Sequence, residues 1–250
     1  MKLLVLPAVL LVSLFSACKG GDVKTSTQPA GNERSGKTAT LETGAAVVQD
    51  LTPVKKISVY LVGFHPMKDD PKIQVEAHHY CNQVNEDFAQ CALFDGNTEG
   101  ANLNGIEYII SEKLFESLPA KERQYWHPHN FEILSGQLVA PGLPDALERQ
   151  LMGQKMNSYG KTWHVWMTGH EGKPGDQLPL GPAHLAWSFN ADGEIQPGML
   201  ERRDQKLGIN TGEKRNQRAD LKNQARPQNG VDALKKVFPN RRPLEGVVAK

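Results

Sequence analysis

The chain has 250 residues, with 29 Lys+Arg against 28 Asp+Glu for a net charge of +1, and 39% of its residues are apolar. That balance fits a folded globular chain, excludes a disordered or collagen-like one, and provides no overall field for nucleic acid, so no nucleic-acid partner is expected. No apolar run reaches the roughly 18–20 residues of a membrane-spanning helix, and three cysteines are too few for a disulfide scaffold or a four-cysteine zinc module.

The N-terminus reads as an address. Lys2 precedes an almost unbroken apolar stretch over residues 3–15, and Ser16, Ala17 and Cys18 follow, the order of a bacterial secretory signal over residues 1–17. The run Leu14-Phe15-Ser16-Ala17-Cys18 resembles a lipobox, whose cysteine thiol takes a diacylglyceryl group, with Phe15 where leucine is usual. Ordinary secretion with cleavage nearby is the alternative. Lipidation of Cys18 by several acyl chains holds a protein stably on a membrane. Lys19, in place of Asp, favours the outer membrane. The expected location is therefore the bacterial cell envelope, lipid-anchored on the periplasmic face of the outer membrane.

Residues 18–52 are rich in Gly, Ser, Thr and Lys without apolar periodicity, and read as a flexible tether reaching roughly 30 Å. The folded domain spans residues 53–198. Residues 57–62 read as a strand. Residues 75–84 and 88–94 form a hairpin in a register that sets Cys81 opposite Cys91, although a helix sharing Cys81, Asn85 and Phe88 on one face competes. A strand over 104–111, a helix capped by Ser111, and a second helix from Pro119 to Tyr125 come next. Residues 131–139 read as a strand, 144–157 as a helix, 162–168 and 185–189 as strands, and Asp192-Gly193 as a turn. The expected fold is α+β, a largely antiparallel sheet of six or seven strands, barrel-like and cupin-like in part, with two or three helices. Residues 199–250 form a tail with 13 Lys+Arg against 6 Asp+Glu from Glu201 onward, expected to be poorly packed and to favour anionic envelope components such as lipid phosphates.

Gly160-Lys161-Thr162 is a decoy for a phosphate loop, because Gly153 lies seven residues before Gly160 where the motif needs five. The histidines carry more. In an extended segment His127 and His129 share one face. With Glu132 and Gly136 they look like half of a cupin metal motif, and His164 is the third imidazole from a later strand. Such a set suits one divalent ion, Zn, Fe or Mn. On a straight strand Glu132 points away from His129, so Glu107 or His79 is the substitute. His127 and His129 merely bonded to backbone are the structural alternative. In His78-His79-Tyr80-Cys81, alternation puts His79 with Cys81. A soft ligand pair, a Cys81–Cys91 bond and two buried thiols all remain open.

The motifs Glu76-Ala77-His78-His79-Tyr80-Cys81, Asn85-Glu86-Asp87, Gly105-Ile106-Glu107-Tyr108, Trp126-His127-Pro128-His129 with Phe131-Glu132, and Gly160-Lys161-Thr162-Trp163-His164 together resemble the oil body-associated protein family over about residues 55–195. The resemblance implies a compact domain that in plants associates with lipid droplets, and it implies no reaction. Two functions follow as expectations. One is a membrane-tethered, non-enzymatic protein that binds lipid or an envelope partner. The other is a metal-dependent enzyme using His127, His129 and His164, with Glu132 or His79.

Overall fold

Alternation with period two builds the sheet, and the sheet builds the site. The computed structural model describes residues 21–170 and 173–250, so Cys18 and the expected signal segment lie outside the described residues. Strands β1 (Val59–Pro66), β2 (Gln74–Asn85), β3 (Phe88–Phe94) and β4 (Leu103–Ile110) form an antiparallel meander. β6 (Tyr159–His164) pairs with β4, and the short β5 (His127–Pro128) and β9 (His184–Leu185) both pair with β6. A separate ribbon joins β7 (Gly169–His170) to β8 (Lys173–Pro174). The hairpin has the anticipated register, with Cys81 opposite Cys91 and the two sulfurs bonded.

Tracing the pairs across the sheet puts Leu61, Gly63, His65, Ala77, His79, Cys81, Cys91, Leu93, Gly105, Glu107, Ile109, Gly160, Thr162, His164 and His127 on one face. That face is concave. In a flat sheet β1 and β6, four spacings apart, would be about 19 Å from one another. Instead His65 Nδ1 on β1 lies 3.0 Å from His164 Nε2 on β6. At this end the chain after β9 bonds to both sides of the curl: Ala186 N donates to Thr162 O, and Trp187 N to Pro66 O. The fold is the expected α+β, with a curled antiparallel sheet.

Helices fill and flank the curl. They are α1 (Gly36–Val48), α2 (Thr52–Lys55), α3 (Glu112–Ser117), α4 (Ala120–Arg123), α5 (Asn130–Leu134), α6 (Asp145–Lys155), α7 (Met199–Leu207) and α8 (Thr211–Gln217), with a 3-10 turn at Ala219–Gln224. Ser111 caps α3 as expected, its side chain accepting from Leu114 N. The strand expected over 131–139 is instead the helix α5, ended by Gly136 at φ 79°. Phe131, Ile133 and Leu134 are all buried within the largest core cluster, and an element buried on every side carries no period-two signal. In α6 the fully buried residue is Met152, whereas Leu147 is exposed.

Two expected boundaries are corrected. The basic tail is packed, not loose: Leu221, Val231, Leu234 and Val247 join the main core. Arg218, 1% exposed, donates to Ile133 O and Leu138 O and faces Glu148 at 3.2 Å. Its apolar residues are sparse, yet these four are inserted into a core that the sheet alone leaves open. Much of its excess charge is taken up internally, in pairs such as Arg215–Asp192, Arg226–Glu112 and Arg241–Glu194. The expected tether is likewise ordered in part. Val23 and Thr27 are buried, and Thr27 Oγ1 donates to Thr168 O at 2.6 Å, while no residue of α1 is buried.

Candidate metal centre

Glu107 is the hub. It faces inward from β4, between Cys91 and Thr162 in its cross-strand row, and is 2% exposed. Oε1 lies 3.4 Å from both His127 Nε2 and His129 Nε2, and those two nitrogens are 3.3 Å apart. Its other oxygen, Oε2, lies 2.9 Å from His79 Nε2. His127 comes from β5, which β6 holds against Gly160. His129 immediately precedes α5 with helical rather than extended backbone, and its imidazole meets that of His127. The helix also resolves the difficulty with Glu132. Three residues on from His129, it returns to the same side one helical turn later. Ligand atoms of His127, His129 and Glu132 lie within 4.8 Å of one another, as do those of His65, Glu107 and His127.

Hydrogen bonds on the far side of each ring fix what the near side offers. Ser158 Oγ donates to Lys155 O, so it accepts from His129 Nδ1, at 2.7 Å, leaving Nε2 of the neutral ring as a lone pair. His79 Nδ1 lies 3.1 Å from Ala77 O, and a carbonyl only accepts, so its Nε2 is also unprotonated in the neutral ring. His79 Nε2 and Glu107 Oε2 are therefore placed to share one positive charge between them, a proton or a metal ion. Burial pushes His127 down to about 4, with Glu107 opposing. For Glu107 burial raises the pKa, but its contacts with the His127, His129 and His79 rings outweigh it and hold the group well below the usual carboxylate range. Burial, then the charge of Glu107, pushes Glu132 well above that range. Its Oε1 and His127 Nδ1 have no hydrogen-bond partner among the described residues.

Glycine makes the room. A Cβ on Gly160 would lie 2.2 Å from Glu107 Oε1, 2.6 Å from His127 Nε2 and 2.7 Å from His129 Nε2. A Cβ on Gly63 would press on Leu138 at 3.2 Å and approach Glu132 and His79 at 3.8 Å. A cavity of about 10 Å³ adjoins the cluster, walled by Leu61, His79, Glu107, Ile109, His129, Glu132, Leu138 and Lys155. That is space for one ion or water. A triangle of donors with 3.3–3.4 Å edges is the face of a tetrahedron whose centre is about 2.0–2.1 Å from each corner, the bond length of Zn²⁺ to nitrogen and carboxylate oxygen.

Of the five residues singled out from sequence, His127, His129, Glu132 and His79 surround Glu107. His164 meets this cluster through His65: its ring centroid is 5.3 Å from that of His65, which is 5.8 Å from that of His127. Four residues beyond Gly160 on β6 is about 13 Å of strand, and there His164 Nε2 lies 3.0 Å from His65 Nδ1. Burial lowers the pKa of both these rings, His164 to about 4. His65 lies outside every motif of the sequence that points to the site. Its signal was alternation in phase with Leu61 and Gly63 on β1.

A family described as "Protein of unknown function (DUF1264)" matches residues 51–222. Oil body-associated protein 2A of Arabidopsis thaliana is 40% identical over 186 residues, 73% of each chain. Oil body-associated protein 1B of the same plant is 36% identical over 214 residues, 84% of this chain and 85% of that one. Oil body-associated protein 2A of Zea mays is 38% identical over 207 residues, 82% of this chain and 81% of that one. No solved structure matches. These relatives are plant proteins named for oil bodies, and they overturn the expected location in a bacterial cell envelope. Neither is any helix among the described residues long and apolar enough to cross a membrane. The match over most of the chain makes it a member of the DUF1264 family, to which the oil body-associated proteins are its similar relatives.

Proposed function

We propose that the chain is a divalent-metal protein whose ion is held by Glu107, His127 and His129 inside the curled sheet, with His79, His65 or Glu132 completing the set. The observation that carries this reading is the triangle of Glu107 Oε1, His127 Nε2 and His129 Nε2, with edges of 3.3–3.4 Å. Ser158 and Ala77 support it by orienting His129 and His79 with their Nε2 lone pairs inward. Imidazole and carboxylate donors suit Zn²⁺, Fe²⁺ or Mn²⁺. An ion in such a site supplies Lewis acidity to a bound water or small ligand. Elemental analysis of protein purified without a metal-affinity tag should find one transition-metal ion per chain. Glu107→Gln, His127→Ala and His129→Ala should each lose it, and His164→Ala should keep it. Metal-free wild type that takes up no Zn²⁺, Fe²⁺ or Mn²⁺ on titration would end the reading.

A second reading concerns the outer surface of the sheet. Ile106 and Tyr108 are exposed there and, with Tyr80, Pro53, Val54 and Ile57, line an open cavity of about 280 Å³. Together with the relatives' name, that apolar surface supports association with an amphiphilic interface. Flotation with triolein droplets coated in phosphatidylcholine should recover wild type, and an Ile106→Glu, Tyr108→Glu variant should stay in the aqueous layer. Equal recovery of both would remove this reading.

A further inference from the structure

The ion-sized cavity beside Glu107 has a neighbour. A second, open cavity of about 240 Å³ lies between α6, the start of α3 and the β2–β3 turn. Ile109 and Lys155 line both cavities, so together they form the partition between the buried site and solvent. Lys155 is the last residue of α6, and its Nζ reaches across the opening to Gln83 Oε1 at 2.5 Å. Ser158, which lines the outer cavity, is the residue that orients His129. The turn carrying Lys155 and Ser158 is held rigid from the C-terminal segment. Arg226 N donates to Asn157 Oδ1 at 2.7 Å and Gln228 Nε2 to Ser158 O at 2.9 Å, while Asn157 takes a left-handed φ of 66°.

Charge selects what this opening admits. A divalent ion on Glu107 and the lysine ammonium of Lys155 put positive charge on either side of the inner end of the opening, while Glu86, Asp87 and Glu112 line its outer part beside Lys113 and Arg226. His127 does not line the inner cavity, so an ion within the triangle of Glu107, His127 and His129 leaves that space to one small ligand atom, and the outer cavity has room for the rest of a small molecule. We propose that the outer cavity is the ligand mouth of the buried site, and that it admits a small monoanion, carboxylate-sized or smaller, bound between the ion and Lys155.

This inference rests on the metal reading, and the test separates the two. Full-length protein is loaded with Co²⁺, its visible spectrum recorded, and sodium azide titrated in. Wild type should bind one Co²⁺ and show a saturable spectral change with azide. Lys155→Met, which keeps the side-chain length and removes the charge, should bind Co²⁺ equally but weaken azide by about tenfold or more, as expected for losing one nearby charge at low dielectric. Gln154 is exposed on the rim, so Gln154→Trp should leave the fold and Co²⁺ content intact. It should also slow azide binding and removal of Co²⁺ by a chelator by about tenfold, and it tests the mouth even if Lys155→Met does not fold. Protein that takes up no Co²⁺ overturns the metal reading and this one with it. Co²⁺-loaded protein whose spectrum ignores azide, or whose azide affinity and exchange rates are unchanged in both variants, overturns the mouth alone.

Discussion

At the scale of single residues, the site depends as much on a missing side chain as on those present. Gly160 leaves open the space into which Glu107, His127 and His129 converge. Gly160→Ala should fold but lose its ion, because the methyl would lie 2.2–2.7 Å from three ligand atoms that are themselves packed in place. Isothermal titration with Zn²⁺ checks this, and unchanged affinity would show that the ion sits elsewhere. The buried imidazoles also set a pH dependence. His127 and His164 are held at about 4 in the fold against 6.5 when unfolded, and His65 is lowered too, in each case first by burial. Below pH 6.5 the unfolded chain therefore takes up protons that the fold refuses, and stability falls with pH through the window from about 6.5 to about 4. Glu132 is raised and acts in the opposite sense above its usual value, one group against three. The urea midpoint of metal-free protein should be lower at pH 5 than at pH 7, and a midpoint that rises on acidification would contradict neutral buried imidazoles.

At the scale of elements, the C-terminal segment is structural. Arg218 donates to two carbonyls that flank the α5 turn, Ile133 O and Leu138 O. Gln228 accepts from Asn130 N and donates to Ser158 O, tying α5 to the start of β6. A chain ended after residue 200 would leave those groups unsatisfied and expose the core that Leu221 and Leu234 cover. Fully burying each of those two leucines is worth about 1.5–3 kcal/mol, and losing the buried arginine opposite Glu148 about 3–5 kcal/mol more. Truncation should abolish cooperative thermal unfolding by near-UV circular dichroism. A sharp transition in the shortened chain would show that the segment only decorates the fold.

At the scale of the whole molecule, the curl of the sheet and the ion are coupled. His79, Glu107, His127 and His129 come from three strands and a helix start, so an ion binding all of them holds the curl closed and binds the folded chain alone. At a free concentration of one hundred times Kd this is worth about 2.7 kcal/mol. For a chain of this size the corresponding rise in Tm is about 5–10 °C. Scanning calorimetry with and without Zn²⁺ should read that rise in wild type and none in Glu107→Gln. An equal rise in both would place the stabilising ion at another position.

The sequence by itself determined the local parts. The short loop at Asn85-Glu86-Asp87 set the β2–β3 register with Cys81 opposite Cys91, because register needs only near neighbours, and the structure then joined the two sulfurs. Period-two alternation put His127 beside His129, since side chains two apart in an extended segment share a face. The sequence also carried the family, through motifs spread along most of the chain. The tertiary structure alone decided which histidines meet. His65 and Glu107 are on β1 and β4, about 14 Å apart in a flat sheet, and only the curl brings their ligand atoms within 4.8 Å of one another. The same curl sets His65 between His127 and His164, its ring centroid 5.8 Å from the one and 5.3 Å from the other. Glu132 joined the site because residues 130–134 are helical, which an apolar run buried on all sides does not reveal. The C-terminal segment read as loose because its apolar residues are few and aperiodic. Leu221, Val231, Leu234 and Val247 find their places only against a core built from residues far away in the chain.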